Sequence, residues 1–252
     1  RPYRRAWLLA RLHTKPLGMI DLDLHADGSL PAETIASTVW TTLRDAINAH
    51  LAQDDLPPAD TLTAAGLPTT EGPRCLQDRA RFLASNPPLI SLIICTRNRP
   101  EQLATCLEHL QQQDYPNYEI LVIDNAPSSD ETANVAKKLA QPNLRYIRED
   151  RPGLSWARNR GLQHAHGDIV VYLDDDERAD AHWLTELARG YQEADNVGCV
   201  TGFILPAELE TQAQAWFEQF GGHSKGRGFT QYIFNTTTHR TQNPLFPAPP
   251  FG

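Results

Sequence analysis

The sequence predicts an α/β fold, a Rossmann-like sheet flanked by helices, preceded by a small N-terminal α+β unit. Three observations carry this. Short apolar runs at Ile90–Cys95, Glu119–Asp124, Leu144–Glu149 and Asp168–Leu173 recur at a spacing of roughly 25–30 residues, with helical patterns between them. That alternation means βαβ units joined by right-handed crossovers. The fourth run then leads directly into Asp174-Asp175-Asp176-Glu177. Parallel α/β sheets place their chemistry just beyond the C-terminal ends of the strands, where these carboxylates fall.

A chain of 252 residues with 40% hydrophobic content can build one large domain or one domain with a smaller companion. The net charge of -8 argues against nucleic acid or an anionic membrane as the main partner. Cys75, Cys95, Cys106 and Cys199 show no C-x-x-C spacing, so reduced thiols in a cytoplasmic setting are the expectation, with the inner face of a membrane as the alternative location. No apolar run reaches the ~18 residues of a membrane span. The chain opens at Arg1 and closes on Pro-Ala-Pro-Pro-Phe-Gly, which reads as a piece of a longer protein.

The N-terminal unit is expected over residues 1–87. Tyr3–Leu12 and Gly18–Leu24 read as strands of a hairpin turned at His13-Thr14-Lys15-Pro16-Leu17 by its proline. Pro31 then opens a helix on which Ile35, Val39, Leu43, Ile47 and Leu51 recur every four residues. Pro57, Pro58, Gly66, Pro68, Gly72 and Pro73 mark a linker or irregular wrap. His13, His25 and His50 read as isolated surface or packing histidines.

The second domain is expected over residues 88–252. After its first strand, Asn98 with Glu101 has capping-box spacing, and Leu103, Cys106, Leu107 and Leu110 share a helical face. Ser128 with Glu131 repeats that spacing ahead of a helix through Val135 and Leu139. Leu154, Ala157, Gly161, Leu162 and Ala165 line the helix before the acidic strand, whose five apolar residues read as buried on both faces. Trp183–Tyr191 predicts a helix, Gly198–Leu205 a strand, and Leu209–Phe220 another helix. Gly221–Gly228, with Lys225 and Arg227, reads as either a lid over anionic phosphates or a solvated loop.

Four points converge at one sheet edge if the strands are parallel. Thr96-Arg97-Asn98-Arg99 offers backbone N–H groups and two arginines at a helix N-terminus. Asp124 ends the second strand, suited to accept hydrogen bonds from a base or a ribose hydroxyl. Arg158 and Asn159 lie on the first turns of the helix that begins near Gly153. Asp174-x-Asp176 supplies hard oxygen ligands for Mg²⁺ or Mn²⁺ beside a phosphate. Each feature alone also fits a surface ion pair, a turn cap or a solvated acidic loop.

The segments ISLIICTRNRPEQLATCLEHL, EILVIDNAPSSD and RPGLSWARNRGLQHAHGDIVVYLDDD resemble the nucleotide-binding half of an inverting family 2 glycosyltransferase of the GT-A fold. The resemblance covers Pro88 to Leu205, about half of the chain. It implies a nucleotide-diphosphate sugar donor, most often a UDP-sugar, a divalent metal, and a carbohydrate or glycoconjugate acceptor of polysaccharide biosynthesis. Thr96, Arg97 and Asp124 would hold base and ribose, Arg158 would lie near the nucleotide, and Asn98 and Asp174 would also belong to the nucleotide-binding set. Asp174 and Asp176 would form the metal motif, with Asp176 the preferred direct ligand and Asp175 in the variable middle position.

The implied chemistry is displacement at the anomeric carbon by an acceptor hydroxyl, assisted by a carboxylate base. The family's base motif belongs to the acceptor-binding half, and none is read after Leu205. Glu208, Glu210 and Glu218 are not assigned to that role. The expectation is a chain that binds donor and metal but transfers sugar poorly or not at all. Two alternatives stand beside it: a non-catalytic sugar-nucleotide-binding or interaction module, and a nucleotidyltransferase, although Thr96–Pro100 lacks the latter's glycines.

Overall fold

The computed structural model describes residues 3–68, 72–223 and 228–235. By its contacts the chain forms two compact units, one spanning Gly72–Gly202 and the other made of the residues before and after it.

The central unit is the predicted α/β sheet. Strands β3 (Ile90–Thr96), β4 (Tyr118–Asn125), β5 (Leu144–Glu149) and β6 (Ile169–Asp174) pair in the order β5-β4-β3-β6. Every pairing is parallel. β3 and β4 are buried along almost their whole length, as strands covered on both faces must be. β6 departs from the expectation. It lies at the sheet edge among the described residues and alternates buried with exposed positions, leaving Tyr172 exposed.

Five helices cover this sheet. On one face, α2 (Arg74–Ala84), α3 (Pro100–Leu110), α4 (Glu131–Lys138) and α6 (Trp183–Gly190) pack with Ile90, Leu92, Ile94, Ile120 and Val122. On the other face α5 (Leu154–His164) brings Ala157 against Ile93, Leu121 and Ile123. A Cβ added at Gly161 would lie 2.6 Å from Ile93 Cγ2, so only glycine lets α5 approach this closely. The chain steps outward from β3 to β5 with helices on one face, then returns through α5 on the other to place β6 beside β3. The topological switch point therefore lies between β3 and β6, where open α/β sheets bind ligands.

The far edge of the sheet is tied by a polar cluster. Ser91 Oγ donates to Glu119 Oε1 at 2.7 Å, and Arg145 Nη1 donates to Glu119 Oε2 at 2.9 Å. The His166 backbone N–H donates to the same carboxylate at 2.8 Å. Burial alone would raise the Glu119 carboxyl, but these donors outweigh it and hold it below its ordinary value.

Several local expectations change. Neither predicted capping box forms: α3 and α4 begin after Arg99 and Asp130, with no side-chain cap. A capping box does form at Thr211 and Gln214, opening α7 (Gln212–Gln219) in the other unit. Its helix starts three residues later than expected. Gly198–Leu205 is not a strand. Phe203 and Ile204 stay exposed, so these apolar residues have no ladder to join. A helix not expected from the sequence, α2, follows Pro73 and packs with the sheet. The expected lid falls partly outside the described residues, Lys225 and Arg227 included.

In the other unit, antiparallel β1 (Arg5–Leu12) and β2 (Lys15–Asp23) pair. α1 (Ala32–Gln53) begins after Pro31, as predicted. The hairpin turns at His13-Thr14, both at positive φ (50° and 73°), rather than at Pro16, which lies inside β2. Ile47, Leu51, Leu56 and Ala59 form the core. The Asn48 amide exchanges two hydrogen bonds with the Ala59 backbone and fixes the irregular wrap to α1. His13 and His50 are not isolated, because the hairpin turn brings their ring nitrogens to 3.0 Å. No helix among the described residues is long and apolar enough to cross a membrane.

Candidate functional site

At the C-terminal edge of the sheet lies a cleft of about 480 Å³. Thr96, Arg97 and Arg99 reach it from the end of β3, and Asp174, Asp175 and Asp176 from the end of β6. The volume falls within the roughly 300–1,000 Å³ common for small-molecule sites. Its position is the switch point between the two strands.

The three aspartates are not equivalent. Period-2 alternation along β6 buries Ile169, Val171 and Leu173, and it continues one step further to bury Asp175. Thr96 Oγ1 donates to Asp175 Oδ2 at 2.7 Å, and Arg99 Nη1 donates to Oδ1 at 3.1 Å. Asp174 and Asp176 are exposed. Arg99 also reaches Asp176 Oδ2 at 3.4 Å. The middle residue thus anchors the acidic turn, while its neighbours present their carboxylates to the cleft. Asp175 is therefore more than the variable filler expected from the motif, and strand alternation is the signal that marks it.

Asp124 sits in register with Thr96 on the adjacent strand and is fully buried. Its Oδ2 accepts a 2.7 Å hydrogen bond from the Tyr146 hydroxyl, whereas Oδ1 has no partner among the described residues. Burial pushes its carboxyl above the usual range, against the lowering effect of Tyr146. Asn125, next in the chain, braces the approach to α5. It donates to the Arg151 carbonyl at 2.7 Å and accepts from the Gly153 N–H at 2.8 Å. Gly153 holds φ at 130°, a conformation that favours glycine.

The remaining predicted residues divide into free and committed groups. Arg97 is exposed, with no hydrogen bond or ion pair among the described residues. Asn98, at φ 55°, accepts a 2.9 Å hydrogen bond from the Ser128 N–H and so ties the β3 loop to the β4 loop. Arg158 stacks over the Tyr172 ring at 5.6 Å, on the sheet face that carries Cys95 and Asp174. Thr96, Arg97, Asp174 and Asp176 line the cleft, whereas Asp124, Asn98 and Arg158 are set around it. Burial pushes the Cys95 thiol up to about 11, so this cleft residue stays protonated at neutral pH.

Known proteins resemble this part of the chain. AglE of Haloferax volcanii, described as a glycosyltransferase, is 36% identical over 107 residues, which is 40% of this chain and 35% of that protein. EpsH of Bacillus subtilis is 29% identical over 115 residues, 44% of this chain and 33% of that protein. The O-antigen biosynthesis protein RfbC of Myxococcus xanthus is 30% identical over 156 residues, 60% of this chain and 12% of that protein. The matches therefore span about a third or less of these relatives. Among solved structures, S. aureus TarS 1-349 in complex with UDP is 26% identical, with 41% of this chain and 32% of that chain covered at a TM-score of 0.38. A family model described as "Glycosyl transferase family 2" matches residues 91–247. That match covers more than half of the sequence, and the chain belongs to glycosyl transferase family 2.

Proposed function

We propose that the cleft binds a nucleotide-diphosphate sugar with Mg²⁺ or Mn²⁺, for inverting transfer of the sugar to the hydroxyl of a carbohydrate or glycoconjugate. The observation that carries this reading is the division of labour in the acidic turn. A buried Asp175, held by Thr96 and Arg99, presents two exposed carboxylates at the switch point. Asp174 and Asp176 form a hard donor set suited to an octahedral ion that keeps water and phosphate oxygens in its shell. Such an ion, when bound, neutralises charge on the departing diphosphate.

The surrounding residues take roles that follow from their state. Asp124 Oδ1, buried without a partner among the described residues, would accept from a base N–H or a ribose hydroxyl. Arg97 is a cation at the cleft without an internal partner among the described residues, available to a nucleotide. Thr96 and Asn98 shape the loop beside it, and Arg158 sits near the Asp174 side. No side chain is assigned as the general base.

The test is calorimetric titration with UDP, dTDP and GDP, in Mn²⁺ and in EDTA, repeated with Asp176→Asn. Metal-dependent binding of one nucleotide, lost in the variant, is the expected result. Equal binding with and without metal, or in the variant, would overturn the metal role. Absence of binding by all three would overturn the donor-site reading for this chain.

A further inference from the structure

We propose that His13, His50 and Asp54 form a second, independent metal site, with Zn²⁺ as its ion, in the unit built from the hairpin and α1. Three ligand atoms converge there. His13 Nδ1 lies 3.0 Å from His50 Nε2, and Asp54 Oδ2 lies 3.5 Å from the first and 3.6 Å from the second. An ion holding N and O ligands at about 2.0–2.1 Å in tetrahedral geometry requires ligand atoms about 3.3–3.4 Å apart. The observed triangle brackets that edge, so the three atoms fill one face of such a tetrahedron. All three side chains are withdrawn from solvent, at 15%, 3% and 6% exposure.

The same triangle is a poor hydrogen-bond network. One edge has ordinary hydrogen-bond length, and the other two are long for it. His50 Nδ1 is buried with no partner among the described residues. Whichever nitrogen of His50 carries the proton, one buried polar atom is left unmet, a cost of roughly 1–3 kcal/mol. Convergence of lone pairs therefore has a better physical explanation in a shared cation.

Local structure supports the reading. His50 lies in the last turn of α1 and Asp54, four residues on, is its C-cap residue, so the helix end brings both to one place. His13 comes from a two-residue turn at positive φ, where Thr14 stands in a conformation that β-branched residues rarely adopt. Asn-Gly would satisfy such a turn at lower cost. Two imidazoles and one carboxylate favour Zn²⁺ over the hard ions expected at Asp174 and Asp176. A bound ion would clamp the hairpin turn to α1, across 37 positions of sequence.

The experiment uses the untagged full chain, loaded with Zn²⁺, dialysed against metal-free buffer and assayed by elemental mass spectrometry. Wild type and Asp176→Asn are expected to retain about one zinc per chain. His13→Asn, chosen because asparagine tolerates the left-handed turn, is expected to retain under about a tenth of that. EDTA should lower the Tm of wild type and leave that of His13→Asn unchanged. Co²⁺ added to wild type should give the intense visible bands of a tetrahedral ion, a readout that needs no variant. Failure of wild type to retain zinc, retention by His13→Asn, loss in Asp176→Asn, or a Co²⁺ spectrum like that of the aquated ion would each overturn the proposal.

Discussion

Thr96 Oγ1 and Asp175 Oδ2 are joined by a 2.7 Å hydrogen bond that links the ends of β3 and β6, two strands whose bonded residues are separated by 79 positions in the sequence. Both residues are buried, so the bond forms out of competition with water. Removing either partner leaves the other unmet. Thr96→Val is expected to lower stability by about 1–3 kcal/mol, and Asp175→Ala, which also removes the carboxylate bonded by half-exposed Arg99, by somewhat more. Urea unfolding of both variants checks the order. If Asp175→Ala proves the milder change, the anchoring role is wrong.

Asp176 should behave in the opposite way. It is exposed, so Asp176→Asn is expected to leave stability within about 0.5 kcal/mol. Metal-dependent nucleotide affinity should fall at least about tenfold, equivalent to about 1.4 kcal/mol. Stability and binding thus separate between adjacent residues. Parallel melts and titrations of the two variants would reveal a shared effect if this division were false.

Asp124 carries a pH prediction. Its folded-state pKa is raised above the ordinary 3.8, mainly by burial. The fold therefore prefers the protonated carboxyl, and stability declines as pH rises through the folded-state value. An asparagine side chain at this position does not ionise, and its amide oxygen can still accept from Tyr146. Asp124→Asn is expected to match wild type near pH 4 and exceed it in Tm at pH 7, on a scale of roughly 2–4 °C per kcal/mol. The same change should abolish nucleotide binding. A lower Tm at pH 7 would contradict the burial argument.

Gly161 sets the distance between α5 and β3. Gly161→Ala places a methyl group 2.6 Å from Ile93 Cγ2 and should cost about 1–3 kcal/mol through overpacking. Shortening Ile93 to alanine in the same chain should recover part of that loss. A double-mutant cycle reads the coupling directly. Additive losses would mean that α5 shifts away instead of straining against the sheet.

The sheet is legible in the sequence because parallel strands and their crossover helices impose long, repeated hydrophobic patterns. The site is legible to the extent that strand ends mark its position, which brings Thr96, Arg97, Asp174 and Asp176 to one cleft. Asp175 escapes a first reading because a run of three identical residues hides which one turns inward; the alternation of Val171 and Leu173 decides it. Gly198–Leu205 fails for the opposite reason, since apolar composition there does not bring pairing. The encounter of His13 with His50 depends on a turn that carries neither glycine nor asparagine, so local sequence rules point to Pro16 instead.

Ser91, Glu119, Arg145 and His166 fasten the edge of the sheet opposite the cleft. Polar bonds therefore tie both ends of the strands, this cluster at one end and the Thr96–Asp175 pair at the other. A substitution at Thr96 or Asp175 leaves the four-residue cluster intact, so the sheet keeps one of its two polar ties.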